Sequence, residues 1–79
     1  MTSNELTKLK LDGQLSGEET RELLHACEDL ALPFVIDLSD LQFADDEGVK
    51  ALLDLKAQGA RLVGARPYVS MLLEEEAGG

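Results

Sequence analysis

The sequence has one cysteine, one histidine and no tryptophan, and these shortages exclude several classes of site. A single cysteine, Cys27, cannot form an intramolecular disulfide, so the chain is not a disulfide-stapled scaffold. Cys27 falls among apolar positions and is expected to be a small core residue. Structural zinc sites use four Cys and His ligands, and His25 and Cys27 are too few. We therefore expect no metal and no cofactor.

Basic charge and long apolar runs are also scarce. Seven Lys and Arg stand against sixteen Asp and Glu, giving a net charge of −9 without a basic cluster. Nucleic-acid binding requires such a cluster and is not expected. The apolar stretch Leu30–Ile36 contains Pro33 and is far shorter than the roughly 20 residues of a membrane span. Met1–Glu5 has neither the basic start nor the apolar run of a signal peptide. We expect a cytoplasmic protein without membrane insertion.

With 79 residues, the chain has room for a single domain, residues 1–79, whose ends (1–4 and 77–79) we expect to be flexible. Alternation of leucine and lysine in Leu6–Leu11 predicts a half-buried strand. Residues 34–38 read as a strand that is buried on both faces. Apolar residues recur at helical spacing between and after these strands. We expect strands near residues 6–11, 34–38 and 61–64, and helices near 17–31, 46–58 and 67–76.

Turn and cap signals divide these elements. Asp12-Gly13 predicts a turn, and Ser16 with Glu19 forms a capping-box pattern at the start of the first helix. Pro33 is expected to end that helix, and Gly59 to end the second. A loop over Ser39–Asp45 is expected before the second helix. The strand-helix alternation predicts an α/β fold with a small, mostly parallel sheet and right-handed crossovers, in two or three layers.

Three consecutive acids, Asp45, Asp46 and Glu47, open the second helix. Carboxylates at a helix N-terminus interact favourably with the helix dipole, so one interpretation is that they only cap the helix. Two functional alternatives are weaker. Contiguous acids point in different directions, which disfavours a metal site built from them and Asp40. A receiver-like phosphoacceptor at Asp37 would lack its second carboxylate and its late lysine.

The ordered motifs along the chain resemble those of the STAS domain family. Leu11-Asp12-Gly13-Gln14-Leu15 matches the family's first strand and turn, and Val35–Leu38 matches its buried strand. Phe43 and Asp45–Val49 match the loop and the Asp-Ser-Ser-Gly-like helix start. Gly59–Val63 and Pro67–Leu73 complete a resemblance that covers about 65 of the 79 residues. The family's additional strand before Leu6 and its final strand-helix pair do not fit, so the resemblance is to a truncated STAS fold.

The resemblance implies a non-enzymatic regulatory module that binds a protein. Its partner would be a kinase-like anti-sigma factor or, as an alternative, the ATPase of a bacterial ABC lipid transporter. Asp46 occupies the position of the family's phosphoacceptor serine. Because its side chain is a carboxylate, a Ser/Thr kinase cannot phosphorylate it. The partner-binding residues we expect are Ser39, Asp40, Asp45, Asp46, Glu47, Gly48 and Lys50. Because a three-stranded sheet leaves its edges unpaired, we also expect a homodimer or higher oligomer.

Overall fold

The computed structural model describes residues 6–78, in which strands and helices alternate. The strands and helices, in chain order, are β1 (Lys8–Leu15), α1 (Glu18–Glu28), β2 (Val35–Ala44), α2 (Asp46–Gln58), β3 (Arg61–Val63) and α3 (Pro67–Gly78). The residues expected to be flexible at the N-terminus, 1–4, and Gly79 lie outside the described residues. Ala77 and Gly78 belong to the last turn of α3.

The strands form one parallel sheet in the order β1-β2-β3, which confirms the predicted α/β architecture. β2 is the central strand, as the apolar sequence of residues 34–38 indicated. Its expected burial on both faces is wrong, because Ile36 and Leu38 are buried whereas Val35 and Asp37, on the face without helices, are only half-buried. It pairs with β1 from Lys8↔Val35 to Leu15↔Ala44. β3 is short and pairs only with Val35, Ile36 and Asp37.

The helices cover one face of the sheet. Sequential parallel strands joined by right-handed crossovers place α1 and α2 on the same face. α3 packs against both α2 and β2, so the domain has two layers. The core lies between β2 and this helical layer, and burial of each large aliphatic side chain there stabilises the fold by about 1.5–3 kcal/mol. The largest fully buried side chains are those of Phe34, Ile36, Leu38, Leu41, Leu52 and Val69.

The loop expected over Ser39–Asp45 is wrong, because β2 continues to Ala44. Two register shifts in the pairing with β1 each insert an extra residue into β2. Its buried residues Leu38, Leu41 and Ala44 are therefore three apart, rather than two as in a regular strand. The missing alternation concealed the second half of the strand from sequence reasoning.

The turn expected at Asp12-Gly13 is also wrong, and β1 begins later and ends later than residues 6–11. Both residues lie inside β1, at the irregular part of the β1–β2 pairing. Gly13 has a φ of 68°, a backbone conformation that glycine adopts without steric cost. The glycine therefore permits an irregularity within the strand instead of ending it.

The boundaries of α1 differ from expectation as well. Its N-cap is Gly17 and no side chain caps the helix, since the Ser16 hydroxyl lies 3.5 Å from the Glu19 carboxylate instead of accepting from a backbone N–H. The helix ends at Glu28, well before Pro33, and the Leu30 N–H donates to the Cys27 carbonyl oxygen at 3.1 Å in its final turn. For α2, the expected bounds and the Gly59 stop, with a φ of 126°, are confirmed.

The start of α2 lies directly on the end of β1. The Asp45 N–H donates to the Leu15 carbonyl oxygen at 3.1 Å, and Gly48 is buried against Leu15. A Cβ atom on Gly48 would overlap the Leu15 carbonyl oxygen and crowd the Leu15 side chain. The sequence Asp45-Asp46-Glu47-Gly48 thus needs its glycine for close packing.

We predict that Gly48→Ala lowers the free energy of unfolding by about 1–3 kcal/mol, the usual range for overpacking a tight site. Urea denaturation followed by circular dichroism measures the loss. Gly78→Ala is the matched control, because a Cβ there meets no other atom. Equal stabilities of the two variants would contradict the close packing at Gly48.

Candidate functional site

The N-termini of α1 and α2 lie side by side at the end of the sheet where β1 and β2 terminate. Leu15 and Ala44 are register partners at the ends of β1 and β2, and each helix begins within three residues of them. Strand neighbours are about 4.8 Å apart, so the first turns of both helices share one surface. Their acids form what we call the acidic edge: Glu18, Glu19, Asp45, Asp46 and Glu47.

The three acids of α2 have different environments. Asp45 is half-buried, and its Oδ1 atom accepts a hydrogen bond from the Gly48 N–H at 2.7 Å. It is therefore the N-cap residue. Asp46 and Glu47 are exposed in the first helical turn. Capping occupies Asp45 and leaves the other two carboxylates facing solvent.

An open groove of about 670 Å³ runs from the acidic edge between α1 and α2. Glu47 and Lys50 line it from α2, and Arg21 lines it from α1. The Thr20 hydroxyl beside them is buried and has no hydrogen-bond partner among residues 6–78. The groove thus combines both signs of charge with an apolar floor. Its remaining lining residues are Gly17, Leu24, Ala51, Leu53, Asp54 and Glu76.

Two of the expected binding residues, Ser39 and Asp40, lie away from the acidic edge. Both belong to the middle of β2, where Asp40 pairs with Asp12, three residues or about 10 Å before Leu15 at the end of β1. The Arg66 Nε donates to the Ser39 carbonyl oxygen at 3.0 Å, and Lys10 Nζ lies 2.9 Å from Asp40 Oδ2. The fold brings together Asp45, Asp46, Glu47, Gly48 and Lys50 but not these two residues.

Asp37, on the open face of the sheet, forms both a hydrogen bond and an ion pair. The Ser39 N–H donates to its Oδ1 atom at 2.9 Å, and Lys8 Nζ lies 3.5 Å from Oδ2. The hydrogen bonds from Ser39, together with the charge of Lys8, lower the pKa of Asp37. The ion pair with Asp40 likewise raises the pKa of Lys10. These groups stabilise the paired strands by polar contacts across the sheet.

The remaining reactive side chains are dispersed. Cys27 is buried, which raises the pKa of its thiol and keeps it protonated. His25 is exposed on α1, where its Nδ1 lies 3.8 Å from a Glu28 carboxylate oxygen. Across residues 6–78 no three His, Cys, Asp or Glu side chains are grouped so that they could share a metal ion. None of the helices in this part of the chain has the length and apolar character needed to cross a membrane.

Sequence reasoning missed the contribution of α1 to this surface. Glu19 was interpreted only as part of a capping box, and no binding role was expected for Glu18 or Arg21. The strand-helix alternation contained the necessary signal, because parallel strands place successive helix N-termini at the same sheet edge. Reading the two helix starts together would have predicted the acidic edge.

Substitution of Asp45 separates capping from surface charge. We predict that Asp45→Ala lowers the free energy of unfolding by about 0.5–2 kcal/mol, because the Gly48 N–H loses its acceptor. Asp46→Ala removes the same charge without removing a cap, and its effect should stay within about 0.5 kcal/mol. Thermal or urea denaturation measures both. A larger loss of stability for Asp46→Ala than for Asp45→Ala would contradict the assignment of Asp45 as the N-cap.

The environment of Asp37 predicts a pH-dependent contribution to stability. Its pKa is lower in the folded state than the unfolded value of about 3.9, so ionised Asp37 favours folding above that pH. This contribution is lost as the pH falls through the lower, folded-state value. Asp37→Asn should therefore be less stable than wild type at neutral pH, and the difference should shrink under acid conditions. Urea midpoints from neutral to acid pH test this, with exposed Asp29→Asn as control. A difference that stays constant with pH would contradict it.

Comparison with known proteins gives one family. The family model described as "Mlab, STAS domain" matches residues 2–75, which is almost the whole chain. No curated protein and no solved structure matched significantly. The parallel sheet, the short Gly-containing start of α2 and the near-complete match agree with the resemblance found in the sequence. The chain belongs to the STAS domain family.

Proposed function

We propose that this STAS domain is a non-enzymatic protein-binding module that docks on its partner through the acidic edge and the adjoining Lys50. STAS domains are regulatory or protein-binding modules. The observation that supports this proposal most directly is the difference between the acids at the start of α2. Asp45 alone caps the helix, while Asp46 and Glu47 remain exposed.

Charge supports a partner with a basic face. The chain carries a net charge of −9, and four exposed carboxylates, those of Glu18, Glu19, Asp46 and Glu47, are concentrated on two adjacent helix starts. Complementary charge raises association rates and fixes the orientation of docking. Lys50 and Arg21 line the groove behind the acids and provide donors for a carboxylate or carbonyl group of the partner.

A second feature supports docking that is not switched by serine phosphorylation. Asp46 stands where the resembled antagonists have their phosphoacceptor serine. A carboxylate carries permanent negative charge there, in place of the charge of about −1.5 to −2 that a phosphoserine would add. The module would therefore bind one type of partner constitutively.

This permanent charge favours one of the two partner classes implied by the resemblance. In regulated antagonists, phosphate at this position weakens binding to the kinase-like anti-sigma factor. An acid at position 46 therefore suits the alternative, an accessory subunit that stays bound to the ATPase of an ABC transporter. Both partners are proteins, and the same surface serves in either case.

The test measures the affinity of the purified domain for both candidate partners from its own organism, the ABC ATPase and the kinase-like anti-sigma factor. We predict that Asp46→Ser and Glu47→Ser each change the affinity for the true partner by about 1–3 kcal/mol. Serine keeps a side-chain oxygen at the helix start, so unfolding free energies should change by only a few tenths of a kcal/mol. Isothermal titration calorimetry and urea denaturation provide the two readouts.

Asp29→Ser is the matched control, because Asp29 is an exposed acid at the other end of α1. It should leave binding unchanged. Binding to the ATPase alone supports the constitutive subunit, and binding to the anti-sigma factor supports the antagonist-like role. An affinity that is indifferent to both Asp46→Ser and Glu47→Ser, combined with lowered stability, would show that these acids are structural.

A further inference from the structure

The outer side of β1 is an unpaired strand edge within residues 6–78. β1 has eight residues and is hydrogen-bonded to β2 on its other side. The Thr7 carbonyl accepts from the Val35 N–H at 2.8 Å, so Thr7 directs its backbone groups towards β2. Backbone direction alternates along a strand, so Lys8, Lys10 and Asp12 direct theirs outwards. An edge of this length is a template for another strand.

The charges along this edge are arranged unevenly. Lys8, Lys10 and Asp12 are exposed on the open face of the sheet. Lys8 and Lys10 form ion pairs with Asp37 and Asp40 of β2. In the described part of the chain, Asp12 has no ion-pair partner. The edge therefore presents two lysines followed by one unpaired acid.

We propose that a second copy of the chain binds along β1 in antiparallel orientation, with the two-fold axis at Leu11. This register places Lys10 of each copy opposite Asp12 of the other and Lys8 opposite Gln14. An axis at Lys10 or at Asp12 would bring two identical charges face to face, and an axis at Leu9 would oppose Lys8 and Lys10. Opposite charges in directly facing positions stabilise strand pairs, and like charges destabilise them. The sequence of the edge is thus complementary to itself in one register.

The apolar side of β1 supports the same arrangement. Leu9 and Leu11 are half-buried and line a groove of about 270 Å³ between β1 and α1, together with Leu23 and Ala26. Two-fold pairing puts Leu11 next to its symmetry mate and Leu9 next to Gly13, whose missing side chain leaves room. The second copy would cover this groove and extend the sheet from three strands to six. An isologous interface of this kind closes after two copies.

Sedimentation equilibrium of the full chain, at concentrations up to about 100 μM, tests the proposal. Wild type should dimerise. Asp12→Lys keeps the Lys10–Asp40 ion pair but places Lys10 opposite a lysine, so the dimer dissociation constant should rise at least about tenfold. Lys10→Glu places two acids opposite each other and should weaken self-association in the same way.

An equimolar mixture of the two variants provides the decisive measurement. Glu at position 10 of one copy would face Lys at position 12 of the other, and Asp12 would face Lys10, so the mixture should form a heterodimer. Glu75→Lys, an equal change of charge on the exposed surface of α3, should dimerise like wild type. Circular dichroism verifies that each variant is folded. A monomeric wild type, a dimer indifferent to Asp12→Lys, or a mixture of folded variants without heterodimer would overturn the proposal.

Discussion

The contact between the end of β1 and the start of α2 sets the position of the candidate site. The Leu15 carbonyl oxygen accepts from the Asp45 N–H, and Gly48 is buried against Leu15. This contact fixes the register of β1 and β2 as far as Ala44. It also fixes the position of α2 beside the first turn of α1. The acidic edge is a consequence, because each of the adjoining helices contributes acids in its first turn.

Sequence reasoning predicted the order of the elements and the parallel sheet because both depend on local patterns. Hydrophobic periodicity identified α2, and Gly59 marked its end. It failed where two strands interact. The second half of β2 was expected to be a loop, because register shifts in its pairing with β1 space its buried residues three apart. Such an irregularity is set by the partner strand, so no window of β2 alone could reveal it.

The candidate site, too, was predictable only where it depends on a single segment of the chain. The acids at positions 45–47 could be placed from the sequence, since they directly open a helix. Which acid caps this helix is visible only in the structure, because Asp45 and Asp46 are both chemically suited to the role. Ser39 and Asp40 were grouped with the acids as members of one loop. Once that loop is a strand, they lie in the middle of the sheet and contact Arg66 and Lys10.

Asp46 and Glu47 remain exposed beside the start of α2 that Asp45 caps, and we propose that a partner docks there. The most direct test of this account is a titration of the ¹⁵N-labelled domain with its partner, followed through backbone amide chemical shifts. The account predicts that the largest changes fall on residues 17–21 and 46–50, at the first turns of α1 and α2. Changes confined to α3 or to the open face of the sheet, with these two turns unaffected, would contradict it.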